Sequence, residues 1–279
     1  MDPVASAIRF VRQRSGAGRS LPDASRVSLH FHPYSLFDGS STLSAILSDR
    51  RYHSQFLTGT SNGGLTAHRG GDRWTWESRI FGGAYDDHEP DHRPVYGALD
   101  DSAEAGSYGP APRFGSAHFR LRPNLLSRTT FAFPDSTFEP TTFGVSDRMQ
   151  LLGLARNAPT PDPLDHYVEA HVHGGVAVPD DVEALVLDPS FHDDAVHDLA
   201  VRSGLTVEWH QGYRVPVAVI EAHPGYRGTD VVAVARQLAD KRTGHLTPAS
   251  LMDRPIGARM QNVKKVWHYI ARYGRQSPR

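Results

Sequence analysis

The sequence predicts an α+β fold with its strands first and most of its helices last. Three observations carry that prediction. Apolar and polar residues alternate at 26–32, 114–121 and 167–173, which is the period of two that a strand imposes. Helical spacing gathers toward the C-terminus, at 193–202, 230–241 and 260–272. The regular strand–helix alternation of an eightfold barrel is missing.

In chain order, residues 1–25 read as a short basic helix, Ala5 to Arg14, followed by a Gly/Ser/Pro linker. They are expected to form a flexible N-terminal tail, and they lack the apolar stretch of a secretory signal. In the first strand Val27, Leu29 and Phe31 should face a core, with Arg26, Ser28, His30 and His32 opposite. The text from Tyr52 to Gly64 and on to Asp86 is rich in glycine and aromatic residues. It reads as a ligand-touching stretch or an Ω-loop. Gly59 and Gly63 would permit positive φ there, and Ser61 and Asn62 would offer short polar groups at a turn.

In the second alternating segment Ala117, Phe119 and Leu121 point one way, against Ser116, His118 and Arg120. Two Pro-rich loops then surround an apolar run, Met149 to Ala155. In the third segment Val168, Ala170 and Val172 should turn inward, leaving Tyr167, Glu169, His171 and His173 on the other face. A further apolar strand follows at 184–187. The last helix carries Val263, Val266, Trp267 and Ile270 as a core stripe. The expected division is a core over 26–215 and a mainly helical extension over 216–279, packed on that core.

Composition narrows the function. The 279 residues hold 30 Lys+Arg against 31 Asp+Glu, a net charge of −1 that argues against a nucleic-acid partner. No stretch approaches the roughly 18 apolar residues of a membrane span, so a soluble protein with no membrane partner is expected. The absence of Cys removes thiolate metal sites and cysteine nucleophiles. Neither GxxxxGK[ST] nor GxGxxG occurs.

Sixteen His remain, several on the alternating segments. Solvent-facing sheet surfaces carry Lys, Thr and Glu, whereas these faces carry His, Tyr, Ser, Arg and one Glu, the residues of a cleft. Metal-dependent hydrolysis is one chemistry they allow. His30-x-His32 would supply two ligands, with His171, His173, Asp188 or His210 completing the set. A non-catalytic binding module is another reading. Glu77 is a second carboxylate of interest, though Arg73 and Arg79 beside it suggest an ion-pair scaffold or a lid.

The arrangement as a whole resembles ADP-ribosyltransferases. The phrases YxSQFxTGxSNGG, WExxxFGGAYD, RPxYGAL and PRFGSxxFxL, over roughly residues 26–215, are similar to a bacterial and fungal family that includes effectors modifying ubiquitin on threonine. The resemblance implies a split β-sandwich with flanking helices, using NAD as substrate and requiring no metal. It implies mono-ADP-ribosyl transfer to a protein acceptor, ubiquitin among the candidates; a nucleic-acid-modifying toxin is the variant reading. Glu169 would be the charge-stabilising carboxylate, and His30 or Arg26 the first-strand residue that orients NAD. Tyr96 would stack on nicotinamide. His32, Thr58, Gly59, Ser61, Asn62 and Gly63 would touch NAD, and Arg113 would hold its pyrophosphate. The enzyme would work in a bacterial cytoplasm or in a host cell reached by a non-classical secretion route.

Overall fold

A computed structural model describes residues 2–37, 39–59, 65–252 and 260–276. The architecture is mixed α+β, built on one large sheet. Its strands are β1 (Arg26–Phe31), β2 (Val95–Asp100), β3 (Ala117–Leu121), β4 (Thr129–Phe133), β5 (Thr142–Val145), β6 (Glu169–Val172), β7 (Val182–Leu187) and β8 (Val207–Trp209). They lie in the order β8-β7-β3-β1-β2-β6-β4-β5, and β7–β8 is the parallel pair in an otherwise antiparallel sheet. The helices are α1 (Pro3–Arg14), α2 (Thr42–Asp49), α3 (Gln55–Thr58), α4 (Asp72–Phe81), α5 (Leu151–Asn157), α6 (Ala195–Arg202), α7 (Val217–Ala222), α8 (Asp230–Leu238) and α9 (Met260–Tyr273).

Both faces of the sheet are covered. One is apolar: Val27, Leu29, Phe31, Phe119, Leu121, Val168, Ala170 and Val172 share a cluster with Leu43 of α2, Leu151 of α5 and Val196 of α6. These are the inward residues that the alternation selects. The second alternating segment is a strand only from Ala117, because residues 112–114 form a 3-10 turn.

The opposite face is polar, and two layers cover it. Over the β6–β4–β5 half lie α1 and α4, through Ala7, Val11, Trp76, Ile80 and Phe81. Beside β1 sits the C-terminal unit, whose cluster joins Tyr213, Val215, Ile220, Ala235, Val266 and Ile270. It touches the sheet layer where Trp267 donates to the Pro112 carbonyl at 2.8 Å and meets His32 edge-on at 5.2 Å.

Two expectations change. Residues 3–14 are a docked helix, not a loose tail. Asp2 caps it by accepting from Val4 N at 3.1 Å and Ala5 N at 3.3 Å, while Ala7 and Val11 are fully buried. Burying a valine is worth about 1.5 kcal/mol or more, enough to hold a short helix down. Within the glycine-rich stretch, residues 72–81 form α4, opened by Gly71 and closed by Gly82 in the left-handed region. Its buried stripe is Arg73, Trp76, Glu77 and Ile80, at i, i+3, i+4 and i+7. Two of those four are charged, so an apolar-period search does not register it.

Candidate functional site

The polar face is organised in rows across the strands. One row runs Ala184, Arg120, Ser28, Ala98, Glu169, Ala132. In the adjacent row His118 pairs with His30, and Tyr96 pairs with His171, which in turn pairs with Thr130. Small Ala98 between Ser28 and Glu169 leaves a depression at the centre of the sheet. The resulting pocket is ≈ 60 Å³, lined by Ser28, His30, Ala98, Tyr96 and Glu169 below and by Arg73, Asp135 and Gln55 above. Tyr52, Phe114 and Tyr167 add aromatic walls. An adjoining groove of ≈ 430 Å³ shares Tyr52, Gln55 and Tyr96 with the pocket.

Glu169 is 5% exposed. Its Oε1 lies 3.0 Å from His171 Nε2, and its Oε2 accepts from Ser136 Oγ at 2.9 Å. Arg73 donates in turn to Ser136 Oγ at 2.9 Å. Burial works against the charge on Glu169, but His171, Arg73 and Ser136 outweigh it and hold the carboxyl below its ordinary value. The carboxylate is therefore ionised at neutral pH and still has lone pairs to offer.

The second carboxylate stands behind Tyr96. Glu77 accepts from Arg93 at 2.7 Å and from the Tyr96 hydroxyl at 3.0 Å. Burial pushes Glu77 up to about 7 against the pull of Arg93, Arg73 and Tyr96. Arg73 lies over the Tyr96 ring at 4.1 Å, so one arginine spans the neighbourhoods of both carboxylates.

Polar atoms without partners mark what the pocket can take. Among the described residues, Ser28 Oγ, Gln55 Oε1 and Arg73 Nε are buried with no hydrogen-bond partner, and all three residues line the pocket. Orphaned buried polar groups cost about 1–3 kcal/mol each, so three around one cavity suit a polar ligand. An acceptor, a donor and a hydroxyl between aromatic walls would match a flat ring bearing an amide.

The expected site residues divide. Glu169, His30 and Tyr96 meet at the pocket. His30 is held there by backbone: its Nδ1 lies 3.4 Å from the Gly115 carbonyl and its Nε2 lies 3.3 Å from Ala111 N. Burial lowers it to about 3, so it is a neutral wall. The close approach of loop 109–115 depends on Gly109, where an added Cβ would fall 2.5 Å from His30 Nε2. His32 and Thr58 line the adjoining groove, not the pocket. Gly59 ends α3 at φ 63. Ser61, Asn62 and Gly63 lie outside the described residues.

Arg26 and Arg113 are used elsewhere. Arg26 donates to Glu183 at 2.6 Å and to the carbonyls of Asp23 and Ser25. Arg113 is paired with Asp165. Neither lines the pocket, because each already has a carboxylate that arrives from a distant part of the chain. The histidines of the hydrolase reading also separate. His30 stacks on His118 at 4.8 Å, whereas His171 and His173 sit with Thr130 on the other half of the sheet. Among the described residues no group of three or more His, Asp or Glu is placed to hold a metal ion. No described helix is long and apolar enough to cross a membrane.

Sequence reading missed Ser136, Asp135 and Gln55, which come from turns and a one-turn helix with no periodic signal. Asp135 accepts from Tyr167 in the pocket wall.

A family model matches residues 26–156 and 151–278, which is most of the chain. The protein belongs to that family, described as protein of unknown function, DUF3626. No curated protein matches the chain. Pocket, groove and both carboxylates of this DUF3626 chain all fall within the matched residues.

Proposed function

We propose that this protein is a mono-ADP-ribosyltransferase that cleaves NAD and transfers ADP-ribose to a protein side chain. The observation that carries the reading is that Glu169 and Tyr96 line one pocket with Ser28, Gln55 and Arg73, three residues that each hold a polar atom without a partner. The nicotinamide ring is flat and carries an amide with a donor and an acceptor. Gln55 Oε1 could accept from that amide and Arg73 Nε could donate to it, with Tyr96 or Tyr167 against the ring face. The groove beyond Tyr52 and Tyr96 would take the rest of the dinucleotide.

The chemistry follows from Glu169. Breaking the nicotinamide–ribose bond leaves positive charge on the ribose ring. An ionised carboxylate that accepts from a ribose hydroxyl offsets that charge as it develops. Glycosidases set carboxylates against the same kind of transition state. Nicotinamide leaves neutral with the bonding electrons, and an acceptor hydroxyl forms the new oxygen–carbon bond to the ribose while its proton passes to solvent. The family resemblance makes a threonine of ubiquitin the first acceptor to try.

The test is incubation of the whole protein with NAD labelled in its adenylate, with and without ubiquitin. Release of nicotinamide together with label on protein is the expected result. Unchanged NAD, with no thermal stabilisation by it, would remove the proposal. At 100 times its dissociation constant a ligand adds about 2.7 kcal/mol, which a melting curve resolves.

A further inference from the structure

Behind Glu169, away from the pocket, runs a line of buried polar groups that the transfer chemistry does not touch. His171 Nδ1 lies 3.1 Å from Thr130 Oγ1. The same oxygen lies 2.9 Å from His173 Nε2, and His173 Nδ1 lies 2.7 Å from the Tyr85 hydroxyl. With the 3.0 Å contact from His171 Nε2 to Glu169, four hydrogen bonds join five side chains. Apart from Glu169 all are at most 1% exposed. Phe81 packs edge-on against both imidazoles, at 5.4 and 5.0 Å, so neither ring is free to turn.

Proton counting gives this line a direction. A carboxylate can only accept, so His171 Nε2 carries a hydrogen and, in the neutral ring, Nδ1 is an acceptor. Thr130 has one hydrogen and gives it to that nitrogen. Its lone pair then takes the hydrogen on His173 Nε2, which leaves His173 Nδ1 to accept from Tyr85. Every donor meets one acceptor, and the only charge is on Glu169. Running the line backward needs a proton on Glu169 or a second one on His171, and either way it leaves the Tyr85 hydrogen pointing away from the line.

We propose that Tyr85, His173, Thr130 and His171 are positioning residues that fix the direction of these bonds and so present Glu169 to the pocket as a bare, oriented carboxylate. The proposal rests on Glu169 being the working carboxylate of the transferase. The other groups around the line act on the same balance. Arg73 of α4 and Ser136 face Glu169, with Tyr96, Glu77 and Arg93 beyond them. Tyr167 and Asp135 stand across the pocket. Arg128 donates to the His173 and Gly175 carbonyls at the far end. Burial, the largest cause, drives His173 well below its ordinary value, so it stays neutral as the counting requires.

Thr130→Val breaks the line in the middle while touching neither Glu169 nor the pocket, and Thr130→Ser restores the hydroxyl. The readout is the infrared carboxylate band of Glu169, assigned with Glu169→Gln and followed against pH in the whole protein. Thr130→Val should move the midpoint up by about one pH unit, because His171 loses the hydroxyl that keeps its hydrogen on the Glu169 side. Thr130→Ser should return it to the wild-type position. The acid limb of NAD cleavage should move with the band.

An unmoved band in Thr130→Val overturns the relay. If that variant does not fold, Tyr85→Phe removes the terminal hydroxyl, and an unmoved band there counts equally against it. A band that moves in a protein that never cleaves NAD upholds the relay and rejects the transferase. Cleavage that depends on Glu169, with a band indifferent to Thr130, does the reverse.

Discussion

Tyr96 donates its hydroxyl to Glu77 Oε1 at 3.0 Å, which ties the pocket's tyrosine to a carboxylate lying outside that pocket. Only the ring of Tyr96 is then left for a ligand. Glu77, with Arg93 as its buried partner at 2.7 Å, holds that ring in place.

Glu77→Gln should accordingly act on stability. Above pH 7, where Glu77 is ionised, removing one member of this buried ion pair leaves the other uncompensated and costs about 3–5 kcal/mol. Chemical denaturation should show the midpoint falling by that equivalent. An unchanged midpoint would mean that Arg93 finds another partner or water.

Glu169→Gln should act on rate. The amide keeps size and hydrogen bonding but carries no charge, so NAD cleavage should fall by about 10²–10³-fold, as for the loss of other charge-stabilising groups. NAD affinity should change little, while the melting temperature should fall somewhat because Arg73 and His171 lose the buried charge they face. Near wild-type turnover in this variant would move attention to Glu77.

Ala98→Val should close the pocket without disturbing the strand. Ala98 is fully buried and borders Glu169 on the pocket floor. Valine is well suited to a β-strand, and overpacking costs about 1–3 kcal/mol. NAD titration should show at least tenfold weaker binding while circular dichroism is unchanged. Wild-type affinity would place the ligand elsewhere.

Stability should fall with acidification in a way that His30 explains in part. Its folded value of about 3 lies below the ordinary 6.5, chiefly because it is buried. Its stabilising contribution is thus complete above pH 6.5 and is lost progressively as pH falls toward 3. The slope is about 1.4 kcal/mol per pH unit for one such group. His30→Asn should flatten unfolding free energy against pH between 6.5 and 4.5 by that amount, and parallel curves would show His30 protonated in the fold.

How much of this could be read from the sequence depended on whether the signal was local. Glu169 was legible because Val168, Ala170 and Val172 fix its face by alternation alone. His30 was placed by Val27, Leu29 and Phe31 in the same way. Helix α4 was not legible, since Arg73 and Glu77 occupy half of its buried stripe. The engagement of Arg26 was not legible either, because its partner Glu183 is far along the chain. Nor does spacing reveal that His30 has both ring nitrogens against backbone. Periodicity reports which way a side chain points, and long-range pairing decides what it meets there.

The strand that carries Glu169 also joins the two parts of the sheet. β6 lies between β2 and β4, so without residues 169–172 the sheet would be two separate pieces. During synthesis, β1 to β5 leave the ribosome before the segment that unites them. No nascent chain ending before that point can present the pocket. A chain that stops short of residue 169 therefore lacks both the strand that joins the two parts of the sheet and the carboxylate of its pocket, and it gains the two together.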